Sequence, residues 1–296
     1  MLKRSFEAIG THWEIEIETK LNQLESEKLH QEIAELIEDF DQAYSRFRPD
    51  SLVTAMAKQA GKYTLRKDFL PLLQLYQQLY QLSSGLFTPL VGQLLAEAGY
   101  DANYSLQSKK LSSIEPLEQV LSFNQEKIEL QKATLLDFGA AGKGYLVDLV
   151  AELLAKKGLS NSTINAGGDI RRSNNQGEKI RIGLENPHDQ RQAIGLFELG
   201  RGSICGSATN RRAWGNFHHI MNPKQLSSVK EISSTWAIVE SKAQHPTMLA
   251  DALATCMFLV EPELLRKKFD FAYVIYKTDG TVKLSDNFTG TIFYEK

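Results

Sequence analysis

The segment Met248-Leu-Ala-Asp-Ala-Leu-Ala-Thr-Cys-Met-Phe-Leu259 reads as a helix that is apolar except for one charge, Asp251. A carboxylate taken out of water without a partner is costly, so the fold has to bring something to it. Thr255 stands at i+4, one turn on and on the same face. A carboxylate and a hydroxyl at that spacing offer two hard oxygen ligands to one cation, a set that suits Mg²⁺. The pattern is equally met without a metal, if Asp251 caps a neighbouring element and Thr255 bonds its own i−4 carbonyl. Ala250, Ala252 and Ala254 leave room there for another backbone or a ligand.

Elsewhere the chain switches between two periodicities. His12-Trp-Glu-Ile-Glu-Ile-Glu18 alternates with strand period. Leu29, Ile33, Leu36, Ile37, Phe40 and Tyr44 recur at helical spacing, which predicts an amphipathic helix ending near Phe47, just before Pro49. A second helix is expected from about Asp68 to Leu82, with Pro71 in an early turn. From Leu121 on, the pattern favours strands: Lys127–Leu130, Ser162–Asn165, Lys179–Leu184, Gly195–Leu199, Thr235–Glu240, Phe271–Tyr276 and Thr289–Tyr294. A helix from Tyr145 to Lys157, stopped by Gly158, and a last helix from Met248 to Leu259 complete the expectation. Strands and helices mix without a regular βαβ rhythm, so the expected class is α+β.

The 296 residues suffice for a full core, and 42% apolar with 24% charged residues is the balance of a globular protein. Acids and bases nearly cancel, at −2, so no global field favours nucleic acid or an anionic membrane. Cys205 and Cys256 form no C-x-x-C pair and read as small apolar core residues. No run of about 18 apolar residues predicts a membrane span, and no apolar stretch follows Lys3-Arg4 as in a signal peptide. The expectation is a cytoplasmic protein.

Three further motifs point to chemistry. In Asp137-Phe-Gly-Ala-Ala-Gly-Lys-Gly-Tyr145 a strand-like run, a small-residue loop and a helix start follow in order. Such a loop can aim backbone N–H groups at a phosphate, with Lys143 adding a mobile charge. It is not a Walker loop, because only two residues separate Gly139 from Gly142 and Gly144 stands where Ser or Thr would hold Mg²⁺. On spacing alone a tight turn with a solvated lysine is the commoner meaning of so short a glycine motif. In Phe217-His218-His219-Ile220-Met221 the two histidines face opposite ways on an extended segment, so one at most enters a given pocket. A histidine near its reference pKa of about 6.5 can take a hydroxyl proton. No Cys, His or Asp spacing completes a zinc set around them. Gly167-Gly168-Asp169 after a strand permits close approach to a ligand, or is a plain turn.

Taken in order, the motifs resemble the ApbE family of FAD:protein FMN transferases over nearly the whole chain. Ala8-Ile9-Gly10-Thr11 resembles the family's A-M-G-T, Ser45-Arg-Phe-Arg-Pro-Asp-Ser51 its S-x-[YF]-[RK]-P-D-S, and Phe87-Thr88-Pro89-Leu90-Val91-Gly92 its F-D-P-T-V-G. Asp137 to Asp148 is similar to D-L-G-G-x-A-K-G-Y-x-x-D, Asn165 to Asp169 to N-x-G-G-D, and His219 to Pro223 to H-I-[IL]-[DN]-P. Ala250-Asp-Ala-Leu-Ala-Thr255 matches A-D-A-L-[AS]-T, the most specific of the set. The departures are Gly142 for the usual Ala, Thr88 for Asp or Asn, a loose Ser203-Ile-Cys-Gly-Ser207 for A-T-S-G, and Lys224-Gln-Leu-Ser-Ser228 after Pro223 for R-T-G.

The resemblance implies one domain over residues 1–296, with a fold related to the T-fold class, mainly antiparallel sheets and packed helices. It implies FAD as substrate and Mg²⁺ as cofactor, with the carbonyl of Ala140, the carboxylate of Asp251 and the hydroxyl of Thr255 as metal ligands. It implies FAD contacts at Ile9, Phe47, Leu86, Phe87, Thr88, Asp137, Lys143, Gly168, Asp169 and Met221. The expected partner is a target flavoprotein subunit with an acceptor Thr or Ser, and His219 is the expected base on that hydroxyl. An FAD pyrophosphatase yielding FMN and AMP, or a non-catalytic FAD carrier, would use the same cleft.

Overall fold

The computed structural model describes residues 1–174, 176–240 and 242–293. Its spine is an eight-stranded sheet whose order in space follows the order of the chain. The strands are β1 Leu2–Ala8, β2 Thr11–Ile17, β3 Ser162–Ala166, β4 Asp169–Ser173, β5 Gly202–Ala208, β6 Ile232–Glu240, β7 Ala272–Lys277 and β8 Val282–Leu284. Every neighbouring pair is antiparallel. Antiparallel neighbours need no crossover helix, so the long segments between strands enter as insertions. The expected α+β class with mainly antiparallel sheets is what the structure shows.

Strand alternation gives the sheet two apolar faces. Ile204, Trp236, Ile238, Ala272 and Val274 point to one side, where Leu184, Ile194, Phe197 and Leu199 of a small sheet cover them. That sheet joins Ile180–Asn186, Asp189–Leu199 and Thr291–Ile292. Cys205, Ala237, Val239, Tyr273 and Ile275 point to the other side and join the main core. There lie four larger helices: α1 Gln23–Tyr44, α2 Phe69–Leu82, α3 Gly142–Lys156 and α4 Pro246–Cys256. Sheathed on both sides, β6 is buried along nearly its whole length, which explains its run of Ser-Thr-Trp-Ala-Ile-Val rather than an apolar–polar alternation.

Several boundaries differ from expectation for local reasons. α1 begins six residues earlier than its first apolar contact, because Asn22 accepts from the Glu25 N–H while the Glu25 carboxylate accepts from the Asn22 N–H. It ends at Tyr44, so Phe47 stands on the connection beyond it rather than in the helix. α3 begins at Gly142, two glycines before the expected start at Tyr145. α4 starts at Pro246 and stops at Cys256, and the short helix Pro262–Arg266 follows it as the last one described. The final strand is Thr291–Ile292 only, and Tyr294 lies outside the described residues.

The early start of α3 reflects its contact with α4. Each helix supplies a carboxylate to the first turn of the other. The buried Asp148 of α3 accepts from the N–H groups of Thr247 (3.0 Å) and Met248 (2.9 Å), from the Thr247 hydroxyl (2.6 Å), and from Arg171 (2.8 Å). In return Asp251 of α4 accepts from the Gly144 N–H at 2.9 Å. Helix N-termini carry unpaired N–H groups and the positive end of the dipole, so both carboxylates sit where charge is favoured. The approach is close enough that a Cβ on Gly144 would stand 2.4 Å from the Thr247 carbonyl oxygen and 2.7 Å from Asp251 Cβ. A Cβ on Gly142 would meet nothing nearer than 3.8 Å.

Gly144→Ala is therefore expected to cost about 1–3 kcal/mol by overpacking, whereas Gly142→Ala is expected to be neutral or slightly stabilising. Urea unfolding of both variants measures this, and equal midpoints would show that the two helices part easily.

Candidate functional site

A cleft of about 620 Å³ opens where the insertions meet one end of the sheet. Its floor is the loop from Asp137 to Ala141. The Asp137 N–H donates to the Pro89 carbonyl (2.8 Å), and its two carboxylate oxygens accept from the Gly139 N–H (2.8 Å) and from Arg46 Nε (2.5 Å). Arg46 is itself buried and also donates to the Tyr100 carbonyl at 2.7 Å. Asp137 thus lines the cleft while fixing the loop that leads into α3.

The opposite wall is the hairpin β3–β4. Ala166 pairs with Asp169, leaving the two-residue turn Gly167-Gly168 with φ of 60° and 100°. Positive φ at both central positions is the type I′ signature, which twists with the strands. A Cβ on Gly167 would collide with Thr11 Oγ1, so this turn is also a close contact with the β1–β2 turn. Gly10, Thr11, Gly167 and Gly168 line the cleft.

Lys143, Asp169 and Asp251 meet at the back. Lys143 Nζ donates to an oxygen of the fully buried Asp169 and to the Ala166 carbonyl. The expected mobile charge is therefore a held one, because a buried carboxylate claims it. Burial works against the Lys143 ammonium, but Asp169 and Asp251 outweigh it and raise its pKa. Burial and the neighbouring Asp169 push Asp251 up to about 7, against the pull of Lys143. Two carboxylates share one ammonium, and the second oxygen of Asp169 has no hydrogen-bond partner.

Asp251, Thr255 and the Ala140 segment line this same part of the cleft. Of the two readings of the helix motif, the cap is realised: Asp251 holds the Gly144 N–H. Thr255, however, meets the Ser207 hydroxyl at 3.0 Å. Among the described residues no group of three or more His, Cys, Asp or Glu could hold a metal ion. A set of one carboxylate, one hydroxyl and one carbonyl is of another kind. It is all hard oxygen, and it borders carboxylates short of positive charge, which fits Mg²⁺.

The outer cleft is aromatic. Phe47 and Tyr100 line it, with ring centroids 5.3 Å apart. Phe47 stacks on Tyr104 at 5.2 Å and carries the Arg46 guanidinium 4.2 Å from its centroid, so neighbours already lie against its ring. Tyr100 stacks on Trp214 at 5.5 Å. Leu86, Phe87, Thr88 and Met221 complete this end.

The two histidines separate as their spacing implies. His218 donates through Nε2 to the Val229 carbonyl (2.6 Å) and accepts the Ile220 N–H on Nδ1 (3.2 Å), so it is spent on the loop. His219 lines the cleft with its Nδ1 buried and unpartnered, and its N–H donates to the Arg212 carbonyl at 3.1 Å. Its pKa is not near 6.5. Burial, the Arg212 charge and His218 lower it to about 3. The imidazole is neutral at pH 7 but is a weaker base than an exposed histidine.

Of the residues expected at the site, all but two line the cleft. Ile9 occupies the β1–β2 turn with φ of 43°, packed against the core beside Gly10, and Asp169 reaches the cleft only through Lys143. Sequence reasoning missed Arg46, Tyr76, Tyr100, Ser207, Arg212 and Trp236. The signals for Arg46 and Ser207 were the motifs Ser45–Ser51 and Ser203–Ser207 themselves; for the others the chain offers no local pattern.

The ApbE family model matches residues 9–272. Relatives named FAD:protein FMN transferase include those of Buchnera aphidicola, 25% identical over 79% of this chain and 76% of that protein, and Haemophilus influenzae, 25% identical over 86% and 80%. Among solved structures, the ApbE protein of Thermotoga maritima superposes with a TM-score of 0.82 at 20% identity, covering 96% of this chain and 97% of that one. The flavin transferase ApbE of Vibrio cholerae gives 0.81 at 22% identity, covering 97% of both.

Because the folded pKa of His219 lies below its unfolded value, the unfolded chain binds the extra proton. Stability is then lost as pH falls from about 6.5 towards about 3. His219→Asn is expected to flatten the pH dependence of unfolding in that window, measured by denaturant titration at several pH values. An unchanged slope would mean the imidazole is solvated. With the fold, the cleft and the matched span in agreement, the chain belongs to the ApbE family, the family of the FAD:protein FMN transferases it resembles.

Proposed function

We propose that this protein is a Mg²⁺-dependent FAD:protein FMN transferase, working as one domain over residues 1–296. It would split the FAD pyrophosphate, attach FMN through a phosphodiester to a Thr or Ser hydroxyl of a target flavoprotein, and release AMP. What carries this reading is the convergence of Asp251, Thr255, Ala140, Lys143 and His219 on one cleft, in a chain of the ApbE family. No helix among the described residues is long and apolar enough to cross a membrane. The cytoplasm remains the compartment we propose.

The chain's own groups have distinct tasks in this scheme. The aromatic end, with Phe47, Tyr100 and Met221, offers flat apolar surface for the ring systems of FAD. Gly139 and Lys143 line the cleft, and the Lys143 ammonium would stabilise charge on the phosphoryl oxygens by exchanging Asp169 for phosphate. Asp251, Thr255 and Ala140 would hold Mg²⁺, which neutralises pyrophosphate charge and improves AMP as a leaving group. His219 is neutral and has a free acceptor nitrogen, so it can receive the acceptor hydroxyl's proton as the oxygen attacks phosphorus. Its low proton affinity is set by burial and in part by Arg212, and an anionic substrate that screens the guanidinium would raise it towards a useful range.

The test is mass spectrometry of a threonine-bearing flavoprotein acceptor after incubation with this protein, FAD and Mg²⁺. The acceptor is expected to gain the FMN mass. The gain is expected to vanish with EDTA and with Asp251→Ala, and to slow about 10²-fold or more with His219→Ala. Free FMN and AMP beside an unmodified acceptor would identify a pyrophosphatase instead, and intact FAD a carrier.

A further inference from the structure

The cations around the cleft are not equivalent. Lys143 is bound to Asp169 and the Ala166 carbonyl. Arg46, behind the floor, is bound to Asp137 and the Tyr100 carbonyl. Arg211 pairs with Glu185 at 2.6 Å. Each of these charges is largely cancelled by a carboxylate before any ligand arrives. Arg212 differs. It lines the cleft, is exposed, and among the described residues no carboxylate pairs with its guanidinium, which lies 6.0 Å from the centroid of the Tyr100 ring.

Position adds to this. The Arg212 carbonyl accepts the His219 backbone N–H at 3.1 Å, so the two residues are held side by side along the cleft wall, Arg212 beside the residue whose imidazole we assign to the acceptor hydroxyl. Three carboxylates, Asp137, Asp169 and Asp251, stand in or directly behind the cleft. A pyrophosphate brought there meets a field that is acidic except where a cation is free. A guanidinium presents a planar fork of donors that matches phosphate oxygens two at a time, and it keeps its charge at any working pH.

We propose that Arg212 is the side chain that binds the pyrophosphate of the dinucleotide substrate at the exposed rim of the cleft, beside His219. The assignment rests on the transferase reading above. It makes Arg212 a substrate-binding residue that also keeps His219 unprotonated until the phosphate screens its charge.

The experiment compares wild type, Arg212→Gln and Arg212→Lys, with FAD and with riboflavin, which has the flavin but no phosphate. Arg212→Gln is expected to raise the KM for FAD, and the Kd for FAD in the presence of Mg²⁺, on the order of tenfold or more. Riboflavin binding is expected to stay unchanged. Arg212→Lys should recover only part of the loss, because a point charge replaces a fork. The salt dependence of FAD binding should weaken with Arg212→Gln. The groups facing His219 are Arg212, His218 and Asp137; with the first neutralised, the acid limb of kcat/KM is expected to move to higher pH. The melting temperature should not fall, since the guanidinium makes no ion pair. Unchanged FAD affinity and an unmoved acid limb in Arg212→Gln, with wild type active, would overturn the assignment. Equal losses for FAD and riboflavin would overturn it too, by showing a packing role. Failure of wild type to cleave FAD or to transfer FMN would instead sink the transferase reading.

Discussion

The mutual capping of α3 and α4 is the contact on which the cleft depends. Asp148 closes the first turn of α4, Asp251 closes the first turn of α3, and Gly144 lets the two backbones meet. Each helix start otherwise leaves buried N–H groups without acceptors, at a cost comparable to several lost hydrogen bonds. One contact therefore sets two things: the end of the Asp137 loop, which runs straight into α3, and the place of Asp251 and Thr255 along α4. The carboxylate that holds the fold is also the one that faces the cleft. Its pKa is raised by burial and by the neighbouring Asp169, against the pull of Lys143 and of the Gly144 N–H it caps.

The meander brings one group of the remaining residues together by geometry alone. In a sheet whose strands follow chain order, every insertion leaves from a hairpin end, and insertions leaving the same end are brought together without any crossover. The β1–β2 turn, the β3–β4 turn and the segment after β5 provide Thr11, Gly168 and Arg212 in this way. The long insertion between β2 and β3 leaves from the opposite end of the sheet, beside Ile17 and Ser162, and reaches back to add Phe47, Thr88, Asp137 and Lys143. The apolar centre of the sheet is buried on both faces, so chemistry is confined to the end where backbone turns and polar side chains are exposed together.

Much of this was legible in the sequence, and the exceptions share a cause. The periodic elements α2, Lys127–Leu130 and β3 match their expected bounds within a residue or two because local pattern and burial agree there. β5, Gly-Ser-Ile-Cys-Gly-Ser-Ala, was not read as a strand: it has few β-branched residues, and its place between β4 and β6 is what makes it one. Lys143 looked mobile because nothing in Gly-Lys-Gly shows that Asp169, 26 residues on, will claim it. His219 looked like an ordinary imidazole because its lowered pKa comes from burial, Arg212 and His218 acting through space. Motif spacing shows which residues gather, but protonation and pairing are properties of the gathering.

That distinction bears on how the cleft meets an anion. Counted along the chain, Arg46, Lys143, Arg211 and Arg212 form a generous positive set. Paired off in space, three of them hold the architecture: Arg46 the loop through Asp137, Lys143 the hairpin through Asp169, and Arg211 the small sheet through Glu185. Their charges are largely cancelled, and a ligand phosphate can use them only by competing with carboxylates already in place. The guanidinium of Arg212, which pairs with no carboxylate among the described residues, is therefore where positive charge is left open to a ligand at the rim of the cleft. In the proposed scheme a pyrophosphate is drawn to that charge before the lysine the motif advertises, and the residue that carries it is joined by a backbone hydrogen bond to His219, the residue proposed as proton acceptor.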